Sequence, residues 1–176
     1  MTAQHIVLSI LAEDRPGIVS DLANQIKELN GNWLESSLSQ LRGHFAGIVH
    51  VQIDSGNLDR LAAAVEQLSA SGIEVRINHI ADTPAPSSQE GVADLIIEVE
   101  ANDRAGIVKE ITNALSEKSV NVKHLETRRE NAAMAGYDIF YAIMQAELPS
   151  SLSSSALEDS LEALSDDLMV TIKPAD

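Results

Sequence analysis

Two stretches of this chain have the residue types and spacing of an anion-binding turn. Asp14-Arg15-Pro16-Gly17-Ile18-Val19 returns 89 residues later as Asp103-Arg104-Ala105-Gly106-Ile107-Val108. With the preceding residues included, Glu13 and Asn102, five of seven positions are identical. Pro16 holds φ near the value of a first helical turn and has no N–H to satisfy. Asp14 and Asp103 are expected to accept hydrogen bonds from free N–H groups at a helix start, where negative charge is favoured. Gly17 and Gly106 have no Cβ, so a ligand or a second backbone can approach closely. Free amides at a helix N-terminus would then face an anion. Pro-Gly is also ordinary turn chemistry. Duplication by itself shows a repeated unit, not a site.

The flanking elements place each turn between a strand and a helix. Ile6 to Leu11 is a nearly continuous apolar run, as expected of a central strand. Ile18, Leu22, Ile26 and Leu29 follow at helical spacing, and Asn30-Gly31 is a helix stop. Trp33 to Leu41 and Phe45 to Ile53 read as strands joined around Arg42-Gly43-His44. Leu58, Leu61, Val65 and Leu68 predict a second helix ending at Ser71-Gly72, and Glu74 to Ile80 a last strand. The order strand, helix, strand, strand, helix, strand is the ferredoxin-like unit. Pro- and Ser-rich residues 82–91 read as a linker between domains 1–81 and 92–176.

The second domain repeats the plan. Val92 to Glu100 is a strand, and Ile107, Val108, Ile111, Ala114 and Leu115 mark a helix. Val120 to Arg128 and Tyr137 to Ala146 form a hairpin with a longer turn, Arg129 to Gly136. Ser155-Ala156-Leu157-Glu158 matches a capping box ahead of Leu161 and Leu164, and Leu168 to Lys173 closes the sheet. The fold class is α+β: two βαββαβ units in tandem, each an antiparallel four-stranded sheet with its helices on one face.

Composition narrows the chemistry. The net charge is −15, with 5 Lys/Arg against 9 Asp/Glu in residues 1–81 and 7 against 16 in residues 92–176. Such a chain repels phosphate backbones, so direct nucleic-acid binding is not expected. Base stacking on the sheet is disfavoured too, since one Trp, two Tyr and two Phe are the whole aromatic set. Cysteine is absent, which removes disulfides, thiolate metal sites and cysteine nucleophiles. No signal peptide or membrane span is visible, and a cytoplasmic location is expected. There is no phosphate loop, nucleophile elbow or dinucleotide fingerprint. The histidines, His5, His44, His50, His79 and His124, show no ligand spacing, and His50 reads as a solvated or sheet-face residue. Neither metal nor cofactor is expected. The acidic run from Glu158 to Asp167 reads as a solvated helix face, with a surface for a basic partner protein as the sharper alternative.

Each unit resembles an ACT domain, on the Asp-Arg-Pro-Gly-Ile-Val turn and on Gly31-Asn32-Trp33-Leu34-Glu35-Ser36-Ser37. The turn also resembles the ACT domain that precedes formyltetrahydrofolate deformylase, but here a second unit stands where that catalytic domain would be. Two units and a short linker resemble the glycine cleavage system transcriptional repressor family over nearly the whole chain.

The resemblance implies a small-amino-acid site at domain interfaces near the first turn. It points to Asp14, Arg15, Pro16 and Gly17, and to Asp103, Arg104, Ala105 and Gly106. The amides of Ile18 and Ile107 would cap a ligand carboxylate, with Asn32 and Asn121 near its other end. Ala105 for Pro16, and Ser119-Val120 for Asn30-Gly31, imply a degenerate second site. The same resemblance implies a non-enzymatic regulator that responds to glycine and represses glycine cleavage genes by contacting a DNA-bound activator. A homo-oligomer is compatible with it. The rival reading is an allosteric or scaffolding subunit of an amino-acid metabolic enzyme.

Overall fold

The computed structural model describes residues 3–79, 93–132 and 136–175. The chain divides into two compact units, Met1–Pro86 and Ser87–Asp176. The expected linker, 82–91, lies outside the described residues.

In the first unit the elements run β1 (Ala3–Glu13), α1 (Ile18–Glu28), β2 (Asn32–Leu41), β3 (His44–Asp54), a single 3-10 turn at Ser55–Asn57, α2 (Leu58–Ala70) and β4 (Ile73–His79). The sheet order is β2-β3-β1-β4, with each pair antiparallel. The apolar run of β1 thus lies inside the sheet, paired on both edges. Ile6, Leu8 and Ile10 turn inward and are buried, whereas Leu11 on the outer face is 47% exposed. Ile18, Leu22 and Ile26 of α1 and Leu61, Ala64 and Leu68 of α2 join Val49, Val51 and Ile53 in the same core. Each fully buried Leu or Ile contributes about 1.5–3 kcal/mol. The Asn57 side-chain amide donates to the Leu29 carbonyl at 3.0 Å, and Arg60 donates to the Glu28 carbonyl at 3.2 Å. These bonds tie the start of α2 to the end of α1. The β2–β3 turn places Arg42 (φ 51°) and Gly43 (φ 79°) in the left-handed region, as a two-residue hairpin requires.

The second unit runs β5 (Ala93–Asn102), α3 (Ile107–Glu117), β6 (Asn121–Ala132), β7 (Tyr137–Leu148), α4 (Ser154–Glu162) and β8 (Met169–Pro174), with sheet order β6-β7-β5-β8. The architecture is the expected pair of ferredoxin-like units.

Three local expectations are corrected. The long turn from Arg129 does not form: β6 pairs on through Ala132 opposite Tyr137, because the ladder is made by backbone N–H and C=O groups, which the polar run Arg129-Glu130-Asn131 supplies as well as apolar residues would. The cap of α4 is Ser153, whose hydroxyl accepts the Ala156 N–H at 3.2 Å, so the box on Ser155 and Glu158 is not the one used. Leu164 falls beyond α4 and is 37% exposed.

Candidate functional site

The two repeated turns have nearly the same backbone. Gly17 (φ 96°, ψ −8°) and Gly106 (φ 91°, ψ −4°) are the left-handed N-caps of α1 and α3. A Cβ at either position would meet nothing closer than 3.8 Å, so the space above both glycines is open and the φ alone demands glycine. Asp14, Arg15, Pro16 and Gly17 are exposed, while Ile18 is buried and anchors the helix to the core. Ile107 does the same in the second unit. Pro16 sits just before the cap and not in the first helical turn, which begins at Ile18.

The aspartates do not cap the helices. Neither N-cap has a side-chain hydrogen bond. Instead the Asp14 N–H donates to the Gly43 carbonyl and the Asp103 N–H to the Asp138 carbonyl, both at 2.8 Å. The backbone of each turn is therefore pinned to its own unit's hairpin, and the Asp side chains face elsewhere. Asp103 meets Arg129 at 3.4 Å.

An arginine latch, unseen in the sequence, closes over each helix start. Arg15 Nη2 donates to Asp21 Oδ2 at 2.9 Å. Arg104 donates through both terminal nitrogens to Glu110, at 2.7 and 2.5 Å. Asp21 and Glu110 occupy the same position of the repeat, in the first turn of α1 and α3, where a carboxylate is favoured by the dipole. The Arg104 hydrogen bonds hold the Glu110 carboxyl below the ordinary glutamate value, and Glu110 in return raises the Arg104 guanidinium.

The second turn is more fully wired. The Ile107 N–H turns toward the Arg104 carbonyl at 3.4 Å, whereas the Ile18 N–H has no acceptor among the described residues. Asp167, from the loop between α4 and β8, accepts the Asn102 N–H at 2.9 Å. The Ser165 hydroxyl, then that backbone N–H, lower the Asp167 carboxyl from its usual value.

Asn32 and Asn121 are not brought to these turns. Asn32 opens β2 opposite Gln52, which itself faces His5. The turn leaves β1 at Glu13, opposite His44. Eight residues of strand separate the two levels, about 26 Å. Asn121 likewise pairs with Glu147 at the far end of its sheet, and its side-chain amide donates to that carboxylate at 2.9 Å. One small ligand cannot touch both Gly17 and Asn32 of the same unit. The Asn30-Gly31 substitution in the repeat also changes no backbone. Asn30 (φ 52°) and Ser119 (φ 58°) both take the left-handed position, and the Gly31 and Val120 N–H groups close on Ile26 and Leu115 at 2.9 and 3.0 Å.

His50 is more than a sheet-face residue. His5 Nδ1 and His50 Nε2 are 2.9 Å apart, and His50 Nδ1 lies 3.0 Å from Glu35. Pairing of distant strands creates this row, so spacing in the sequence carried no sign of it. Among the described residues no group of three or more His, Asp or Glu could hold a metal ion, and no helix is long and apolar enough to cross a membrane.

Residues 4–78 match the ACT domain family model. The first unit is similar to the ACT domain over nearly its whole length. The second ACT-like unit repeats its strand order and its turn. The glycine cleavage system transcriptional repressor of Escherichia coli (strain K12) is 22% identical over 170 residues, covering 96% of this chain and 88% of that protein. Among solved structures, an unknown protein from Galdieria sulphuraria superposes with a TM-score of 0.83 at 24% identity, over 99% of this chain and 100% of that one. A structure described as a candidate glycine cleavage system transcriptional repressor gives 0.71 at 15% identity, again over 99% and 100%. The two structural likenesses establish the fold across both units.

Proposed function

We propose that this chain is a non-enzymatic, amino-acid-responsive regulator. The observation that carries the reading is the turn at Gly17. Left-handed glycine, open space and an unengaged Ile18 amide lie together at a helix N-terminus, inside a segment that matches the ACT domain. Such a start suits a carboxylate. Arg15 supplies a guanidinium beside it, displaceable from Asp21 because the pair is exposed. The match to the ACT domain, together with this open helix start, makes a small amino acid the fitting ligand. Asp14, Arg15, Pro16, Gly17 and Ile18 would hold it. Asp103, Arg104, Ala105, Gly106 and Ile107 form the weaker counterpart. Asn32 and Asn121 would serve only if supplied by a neighbouring domain.

The likeness to the Escherichia coli repressor supports glycine as the effector and repression of glycine cleavage genes as the output. The route is contact with a DNA-bound activator, because a chain of net charge −15 gains nothing from releasing the counterions of DNA. A thermal-shift screen against the amino acids tests the first half. Selective binding to the folded chain raises its melting temperature, by an amount set by ligand concentration over Kd. A shift with glycine alone supports the reading, and no shift with any amino acid overturns it. Co-purification with a metabolic enzyme in place of a transcription factor would make the chain an enzyme's regulatory subunit.

A further inference from the structure

The outer face of the second sheet, the side away from the helices, carries an apolar stripe. Tyr141 and Ile143 lie in its middle on β7, and Met169 on β8 is 59% exposed. Ile143 stands between Glu98 and Glu126 on the neighbouring strands, and Tyr141 between Glu100 and Arg128. Glu98, Glu100, Arg128, Tyr141, Ile143 and Met169 line a shallow depression there.

The charges on this face are arranged unevenly. Lys173 is taken by Glu98 at 2.8 Å, Lys123 by Asp94 at 2.7 Å, and Arg128 by Glu130 at 2.7 Å while it also stacks 4.6 Å above the Tyr141 ring. Every cation of the face is thus engaged. Glu100 and Glu126 have no cation within 4 Å among the described residues; Glu126 lies beside Ile143 on β6, and Glu100 lies on β5 between Tyr141 and Met169. By strand and residue spacing they are about 12 Å apart on the diagonal. Two helical turns span ~11 Å. The outer face of the first sheet lacks this pattern, since Ile48 there stands between Ser9 and Ser37.

We infer that the outer face of the second sheet is a docking surface for a basic amphipathic helix of a partner protein. The partner would set apolar side chains on Tyr141, Ile143 and Met169 and bring Lys or Arg residues, two turns apart, to Glu100 and Glu126. Charge complementarity selects this occupant. A second copy of the chain would bring more carboxylates to the same face, and a nucleic acid would bring phosphates. The overall charge of −15 steers a basic partner from a distance. The inference rests on the protein-contact half of the proposed function and supplies its surface. It does not depend on the amino-acid site, whose thermal-shift test is separate.

The test uses the full chain, labelled with 15N, and a synthetic Lys/Leu amphipathic helix of about 14 residues as probe. Amide shifts should concentrate at Tyr141, Ile143 and Met169. Glu100→Lys with Glu126→Lys should weaken binding by about tenfold or more. Glu117→Lys with Asp159→Lys changes the net charge equally on the helix layer and should leave affinity within about twofold. If the lysine pair fails to fold, Glu100→Gln with Glu126→Gln should show the same loss at smaller size. Equal weakening by both double variants would mean diffuse attraction to an acidic protein and overturn the inference. So would shifts on the helix layer or the first unit, absence of binding, or self-association of the chain that Met169→Glu abolishes.

Discussion

The first and second turns share a backbone and differ in their wiring. Gly17 and Gly106 agree in φ to within a few degrees, and both turns are pinned to their hairpins by one 2.8 Å bond. Yet Arg15 holds Asp21 by a single bond, whereas Arg104 grips Glu110 with two, the Ile107 amide is partly engaged, and Asp167 braces the strand end. The duplicated unit has kept the shape that glycine dictates while its side chains have diverged. One copy keeps free donors at its helix start. The other has turned similar groups inward, to structure.

The sharpest break in the likeness is at Gly47. Its backbone has φ 153°, and a Cβ there would lie 2.0 Å from the Ser37 carbonyl oxygen. The matching register position of the second sheet holds Ala142, buried and accommodated. Gly47→Ala should cost about 2–4 kcal/mol, read as a lowered denaturation midpoint. The reverse change, Ala142→Gly, should cost roughly 1 kcal/mol. Similar costs in the two directions would mean that the close strand approach at Gly47 is not a rigid feature.

The next test compares the turns directly. Gly17→Val and Gly106→Val both force a β-branched residue to φ near 90° and should each cost about 1–3 kcal/mol. Among folded variants, Gly17→Val should abolish the ligand-induced melting shift and Gly106→Val should keep part of it. Retention of the full shift by Gly17→Val would reduce the turn to a structural one.

Opening the latches gives a smaller effect. Asp21→Asn releases Arg15 and removes a competing carboxylate, so a carboxylate ligand should bind a few-fold tighter by calorimetry. Glu110→Gln should give a lesser gain, because the Ile107 amide remains turned inward. Weaker binding in Asp21→Asn would instead make Asp21 a ligand contact, for an amino group.

Acid provides the mildest probe. Glu110 and Asp167 titrate below their ordinary values in the folded chain, so the stability they contribute is present above those values and is lost as pH falls through the folded ones. Below about pH 4, the protection factors of the amides around Asn102 to Glu110 should therefore fall once the intrinsic slowing of exchange in acid is divided out. Protection unchanged down to pH 2 would show that these contacts hold nothing in place.

Most of the fold was legible because its signals are local. A nearly continuous apolar run marked Ile6 to Leu11, helical spacing marked Ile18, Leu22 and Ile26, and the repeat at 89 residues carried both readings into the first half of the second unit. What escaped depends on which strands meet. The His5–His50–Glu35 row exists only once β1, β2 and β3 are in register. A bulge between Trp33 and Glu35 shifts the phase of β2, and another between Val122 and His124 shifts β6. The Arg-acid latches lie six residues apart, a spacing that straddles turn and helix and so belongs to neither pattern. Asn32, which the family resemblance put near the ligand's other end, stands at the opposite end of the sheet from Gly17 because α1 carries the chain there.

The bonds from Asp14 to the Gly43 carbonyl and from Asp103 to the Asp138 carbonyl have a consequence for the life of the protein. Each joins a turn to a hairpin far along the chain, so neither turn can hold its shape until β1 has met β3, or β5 has met β7. Contacts of that range form late, after the loop between them has been closed. A small molecule that reads the turn therefore reads only finished domains. Newly made or partly opened chains would be invisible to it, and its abundance would set how long completed copies escape proteolysis as well as how many are switched.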